Sequence, residues 1–249
     1  MMRVLLLGGT TEASQIGREL AAAGVTAVFS YAGRTATPIA QPLPTRVGGF
    51  GGVDGLAEYV RHERITHVID ATHPFASQIS RNAIDACAQT GTPLIAYVRE
   101  PWVAGPDDKW RHVRGIEQAV AALPDRPARI FLAIGKQHLQ PFAIRSQHFY
   151  LLRLVDAPAT NLPLPNAEMV LARGPFTIEG DLELLRHHRI THIVARNAGG
   201  EGAKAKLEAA RALGLPVIMI DRPDLPERRT AQSVDQIMHW LNQSACLGV

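Results

Sequence analysis

Short runs of aliphatic and β-branched residues alternate along this chain with amphipathic stretches. Arg3-Val4-Leu5-Leu6-Leu7, Thr26-Ala27-Val28-Phe29-Ser30 and Ile65 to Ile69 are such runs, bounded by Gly, Pro or polar residues. After Gly8-Gly9, residues Ala13, Ile16, Gly17 and Leu20 fall on one face at helical spacing. Thr10 or Thr11 is placed to cap that helix and Gly24 to stop it. Strand-sized runs alternating with helix-sized ones predict βαβ units and a parallel sheet.

The pattern occurs twice. Arg61-His62-Glu63-Arg64-Ile65-Thr66-His67-Val68-Ile69 is matched by Arg186-His187-His188-Arg189-Ile190-Thr191-His192-Ile193-Val194. Gly91 to Pro101 corresponds to Gly214 to Pro223, and the helix pattern Ile116 to Leu123 to Val234 to Leu241. At the front, Arg3 to Gly8 pairs with Arg129 to Gly135. A repeat of this kind decides the fold class. The expectation is an α/β protein of two similar Rossmann-like lobes, each with a parallel sheet, related by internal duplication and enclosing a ligand cleft. The prolines of Pro124-Asp125-Arg126-Pro127 set the expected division, residues 1–125 and 126–249.

Composition narrows the classes. The chain has 249 residues, 46% of them hydrophobic, and no apolar run reaches the ~20 residues of a membrane span. Met1 to Leu7 is too short for a signal peptide and reads as the first core strand. Cys87 and Cys246 are the only cysteines and form no Cys-x-x-Cys pair, so neither a disulfide framework nor a thiolate metal site is expected. A cytoplasmic setting fits. The formal charge of +3 is spread along the chain, which argues against a nucleic-acid groove.

Strand, then Gly8-Gly9-Thr10-Thr11-Glu12, then helix is an arrangement in which helix-start amides cradle a pyrophosphate. Thr10 stands in place of the second glycine of the usual fingerprint and Ala13 in place of the third. No acidic residue lies between Glu19 and Asp54, where an NAD-binding fold keeps one for the ribose. Instead Ser30-Tyr31-Ala32-Gly33-Arg34 puts a hydroxyl and a guanidinium where a 2′-phosphate would lie, which favours NADPH over NADH. The next turn, Arg46-Val47-Gly48-Gly49-Phe50-Gly51-Gly52, gives Gly49 and Phe50 as further cofactor contacts or a plain flexible turn.

Asp70-Ala71-Thr72-His73-Pro74-Phe75-Ala76 follows a strand at the carboxyl edge, where open α/β sheets bind ligands. Thr72 is expected beside the cofactor, and Thr72 and His73 at the reacting centre. His67 and His192, within repeat strands, read as structural. In the second half Lys136, Arg153, Arg173, Asn197, Gly199, Gly200 and Lys204 supply cations and open backbone suited to a polycarboxylate.

These motifs, with Arg173-Gly174-Pro175-Phe176, Glu179 and the Asn197 to Lys204 segment, resemble the precorrin-6A reductases of corrin biosynthesis over nearly the whole chain. The resemblance implies NADPH-dependent reduction of one double bond of the precorrin-6A macrocycle to give precorrin-6B. It also implies transfer to or from neighbouring pathway enzymes. The sequence departs from the family at Arg196 and Ala198, where Lys and Ser are expected. The proton donor stays open among His73, Lys204 and solvent. A cobalt-precorrin-6A reductase and a non-catalytic NADPH-binding sensor or carrier are the alternatives. A short-chain dehydrogenase is excluded, because Thr35, Glu63, Pro101 and Leu154 stand four residues after the four tyrosines, where it needs Lys. No His-Glu-x-x-His pattern supports a metal hydrolase.

Overall fold

The structure is a computed structural model that describes residues 2–33, 39–157 and 161–246. In chain order the elements begin with β1 (Arg3–Leu7), α1 (Thr11–Ala22), β2 (Thr26–Tyr31), β3 (Thr45–Val47), α2 (Gly52–His62), β4 (His67–Asp70), α3 (Ser77–Thr90) and β5 (Leu94–Tyr97). There follow β6 (Lys109–Val113), α4 (Ile116–Ala121), β7 (Arg129–Ala133), β8 (Phe149–Leu154), β9 (Ala167–Leu171), α5 (Ile178–His187), β10 (His192–Arg196), α6 (Ala205–Ala212) and β11 (Pro216–Ile220). The chain closes with β12 (Thr230–Ala231) and α7 (Val234–Cys246). Two six-stranded sheets result, ordered β12-β5-β4-β1-β2-β3 and β6-β11-β10-β7-β8-β9, with every pairing parallel. Among the described residues no helix is long and apolar enough to cross a membrane.

β1 is apolar from Val4 to Leu7 because both faces of its sheet are covered. Val4 and Leu6 join Ile16 and Leu20 of α1 and Ile237, Trp240 and Leu241 of α7, while Leu5 and Leu7 join Leu56 and Val60 of α2 and Ala83 of α3. Each fully buried Val, Leu or Ile among them contributes about 1.5–3 kcal/mol. The helical face read from sequence is the buried one: Ala13, Ile16, Gly17 and Leu20. In the second sheet Phe131, Leu151, Ile193, Val217 and Met219 meet Leu185 of α5 and Leu207 of α6.

The duplication extends to local backbone. Arg64 and Arg189, at equivalent positions, both have positive φ, 52° and 49°. The amides of Thr66 and Thr191 donate to the carbonyls of Arg3 and Arg129, each at 2.8 Å. His67 is fully buried, its edge against Trp240 at 5.3 Å, and burial lowers the pKa of both His67 and His192.

The expected division at residue 125 does not describe the compact units. These are Met1–Arg99 with Asp224–Val249, and Glu100–Pro223. β6 and α4 continue from the first copy but belong to the second sheet, where Val113 aligns with Ile220. β12 and α7 return to the first sheet, where Ala231 aligns with Tyr97. Each closing strand thus joins the opposite copy at the equivalent edge position. The repeat offers two equivalent edges, and adjacency in the chain does not choose between them.

Candidate functional site

Pairing register sets the level of each group at the carboxyl edge of the first sheet. Leu7 aligns with Ser30 on one side and Asp70 on the other, so the turn after β1 opens between the ends of β2 and β4. The Gly8 amide donates to the Ser30 carbonyl at 2.9 Å, and a Cβ at Gly8 would stand 2.3 Å from the Phe29 ring. Only glycine lets the turn lie this close to β2. Gly9 has φ +117° and open space where a side chain would be. Thr10 caps α1: its hydroxyl accepts the Ala13 amide at 3.1 Å and donates to the Ala71 carbonyl at 2.8 Å. The amides of Thr11 and Glu12 open α1 and have no acceptor within the helix. Glycine backbone beside open space, continued by these donors, fits a pyrophosphate.

The other expected cofactor residues are placed unequally. Glu12 pairs with Arg99 at 3.2 Å with both side chains largely buried, so its charge is offset within the chain. Tyr31 packs on Phe29, and its hydroxyl donates to the Ile39 carbonyl at 2.9 Å and accepts from Gln41 at 2.6 Å. It braces the end of β2 and does not offer an open hydroxyl. Ser30 is buried at the same level as Leu7. Gly33 has φ +75°, and Arg34 lies outside the described residues. Gly49 and Phe50 hold Arg46, the first through its carbonyl at 3.0 Å and the second through its ring at 3.8 Å.

After β4, the buried Asp70 carboxylate accepts both the hydroxyl of Thr72, at 2.6 Å, and its amide, at 3.1 Å. Ser80 stands 3.4 Å from the same hydroxyl. Burial, with Asp70 adding to it, pushes the Cys87 thiol up to about 12, so that cysteine is inert at neutral pH. His73 is exposed, and its Nδ1 accepts the Phe75 amide at 3.2 Å, which puts the proton of the neutral ring on Nε2.

At the carboxyl edge of the second sheet, Lys136 follows β7 and Arg173 follows β9. Lys136 is exposed; Arg173 is half-exposed, 3.9 Å from Asp156. Lys204 is the N-terminal flanking residue of α6, 3.7 Å from Glu201 and 3.4 Å from Glu208. Two expected ligand residues are corrected. Arg153 is inside the unit, forked onto Asp181 and stacked 3.7 Å over Phe176, with side chains only 9% and 3% exposed. Its charge is consumed there. Asn197 is also buried, and its amide group clamps the Trp102 backbone, accepting at 2.7 Å and donating at 2.9 Å. Gly199 and Gly200 shape the same clamp. The Gly200 carbonyl accepts the Trp102 indole at 2.8 Å, and a Cβ at Gly199 would stand 2.1 Å from the Glu100 carbonyl.

Three residues escaped the sequence reading. Asp70 reads in the sequence only as part of a motif, although Asp followed two residues later by Thr signals a local side-chain turn. Arg46 reads in the sequence only as part of a glycine turn. Lys206 gave no sequence signal: it lies under Trp102 at 4.7 Å from the ring, and burial, with Arg153 adding and Asp181 opposing, lowers its pKa to about 8.

Comparison with known proteins adds an independent line. The family model described as Precorrin-6x reductase CbiJ/CobK matches residues 3–242. The precorrin-6A reductase of Rhodobacter capsulatus is 62% identical over 241 residues, spanning 97% of this chain and 96% of that protein. The precorrin-6A reductase of a Sinorhizobium species is 48% identical over 244 residues, spanning 96% and 94%. A solved structure of CobK precorrin-6A reductase is similar with a TM-score of 0.94 at 62% identity, covering 98% of this chain and 97% of that one.

Proposed function

The chain belongs to the CbiJ/CobK family of precorrin-6x reductases, and on that footing we propose that it draws its reducing equivalents from NADPH held on the first unit. It is an oxidoreductase that reduces precorrin-6A in cobalamin biosynthesis. The observation that carries the cofactor reading is the level shared by Leu7, Ser30 and Asp70, which puts the glycine turn, the β2 end and Thr72 on one sheet edge. When bound, NADPH supplies a hydride to one carbon of a conjugated double bond.

The residues of the chain supply binding, orientation and a proton. The α1-start amides of Thr11 and Glu12 hold the pyrophosphate, aided by the open backbone at Gly9 and Thr10. Asp70 fixes the Thr72 hydroxyl by accepting its hydrogen bond, which leaves the Thr72 oxygen lone pairs as acceptors toward a ligand. Lys136, Arg173 and Lys204 attract macrocycle carboxylates. His73, as the imidazolium, delivers a proton to the second carbon and returns to the neutral ring whose Nδ1 accepts the Phe75 amide.

The test is anaerobic oxidation of NADPH on addition of metal-free precorrin-6A, with NADH and cobalt-precorrin-6A as parallel arms. Stoichiometric turnover with NADPH and the metal-free substrate is expected, since the relatives at 62% and 48% identity carry the precorrin-6A name. Faster turnover with NADH overturns the cofactor assignment. Preference for the cobalt complex moves the chain to the cobalt-first reaction.

A further inference from the structure

Arg46 ends in a position that the reading above leaves unexplained. Its guanidinium donates to the Ser30 hydroxyl at 2.8 Å and to the carbonyls of Gly48 and Gly49, each at 3.0 Å, while lying 3.8 Å over Phe50. Among the described residues it makes no ion pair. A half-buried cation usually keeps a carboxylate beside it, because desolvation disfavours the bare charge. Here burial lowers the Arg46 pKa, opposed by the Tyr59 phenol and by no carboxylate. Three of the five N–H donors are engaged within the described residues, which leaves two.

Ser30 is the second half of the observation. It is only 4% exposed, and its oxygen is already accepting from Arg46. A hydroxyl has one proton to donate, and among the described residues this one has no acceptor. A cation without a carboxylate partner and an unused buried donor therefore stand together, directly opposite each other in the pairing of β2 and β3, where Ser30 aligns with Arg46. That pairing suits an anion with several acceptor oxygens.

We propose that Arg46 is a specificity-determining residue, which with Ser30 forms a subsite selecting the 2′-phosphate of NADPH against the bare 2′-hydroxyl of NADH. The inference rests on the reading of the first unit as a dinucleotide site. Arg46 acts in two ways: it turns the Ser30 proton outward by occupying the oxygen from the other side, and it lends its remaining donors and charge. Because it also ties down Gly48 and Gly49, the subsite is preorganised before any ligand arrives.

Calorimetric titration of the full chain with adenosine 2′,5′-bisphosphate and with 5′-AMP isolates the 2′-phosphate. Wild type is expected to prefer the bisphosphate, and Arg46→Met to lose about tenfold or more of that preference while 5′-AMP binding stays within about twofold. Arg46→Lys should restore part of the preference, and Ser30→Ala should lose a smaller part. The second ionisation of a phosphate monoester lies near pH ~6, so the wild-type preference should grow from about pH 5 to 7.5 and this growth should flatten in Arg46→Met. Equal weakening of both probes in Arg46→Met, or a preference it leaves intact, overturns the role of Arg46. A wild type without preference overturns the NADPH reading itself. If Arg46→Met does not fold, Ser30→Ala and Arg46→Lys decide: a preference unchanged in both refutes the subsite.

Discussion

Replacing Thr10 by valine removes one hydroxyl and nothing else of size, which makes it a sharp probe of how the glycine turn is held. The Thr10 backbone is extended, with φ −116° and ψ 165°, a conformation that suits valine without strain. Two hydrogen bonds disappear. One is the cap on the Ala13 amide, whose loss costs about 1 kcal/mol. The other is the bond to the Ala71 carbonyl, on a residue only 1% exposed, and leaving that acceptor unpaired costs about 1–2 kcal/mol. Together the loss is about 2–3 kcal/mol. In a chain of this length each kcal/mol moves Tm by about 2–4 °C, so a fall of roughly 4–12 °C is expected. Thr10→Ser keeps both bonds and should melt within about 2 °C of wild type. Amide exchange should localise the change, with the first turn of α1 losing protection in Thr10→Val before the second unit does. A Thr10→Val protein with wild-type melting and α1 exchange would refute the reasoning, as would a Thr10→Ser variant that is equally unstable.

Other consequences are as direct. Asp181→Asn leaves Arg153 buried without its partner and should cost about 3–5 kcal/mol in urea unfolding; an unchanged midpoint would contradict the burial of that pair. The Lys206 pKa of about 8 lies below its unfolded value, so the unfolded chain holds more protons between about pH 8 and 10.5 and stability contributed by this group rises with pH across that window. Lys206→Met should therefore be more stable than wild type at pH 7, with the advantage shrinking toward pH 10.5; a difference flat in pH would count against it. His67 is buried and its pKa lowered, so below about pH 6.5 the unfolded chain gains a proton that the fold resists; His67→Phe should flatten the acid limb of the stability profile. His73→Ala should lower kcat at saturating substrate, and full turnover would remove His73 as the proton source.

What the sequence determined by itself was the repeating unit and the chemistry of its edges. Helical spacing of Ala13, Ile16, Gly17 and Leu20 marked the face that is buried, because a helix on a sheet can hide only one stripe. Gly8 and Gly9 mark a tight turn: packing against Phe29 excludes a side chain at Gly8, and the positive φ requires glycine at Gly9. The paired Arg64 and Arg189 segments marked equivalent connections. Tertiary structure decided what spacing does not encode. The closing strands β6 and β12 each had two equivalent sheet edges available, and only pairing assigned them to the opposite copy, which is why a boundary drawn at residue 125 failed. Arg153 and Asn197 looked like ligand groups because charge and polarity are visible in sequence, whereas burial against Asp181 and Trp102 is not. Arg46 looked like part of a turn, and only the register that sets it beside Ser30 shows a cation left without a counter-charge among the described residues. Local patterns fix which elements form, since they depend on neighbours in the chain. The availability of a polar group to a ligand depends on which distant partner has already taken it.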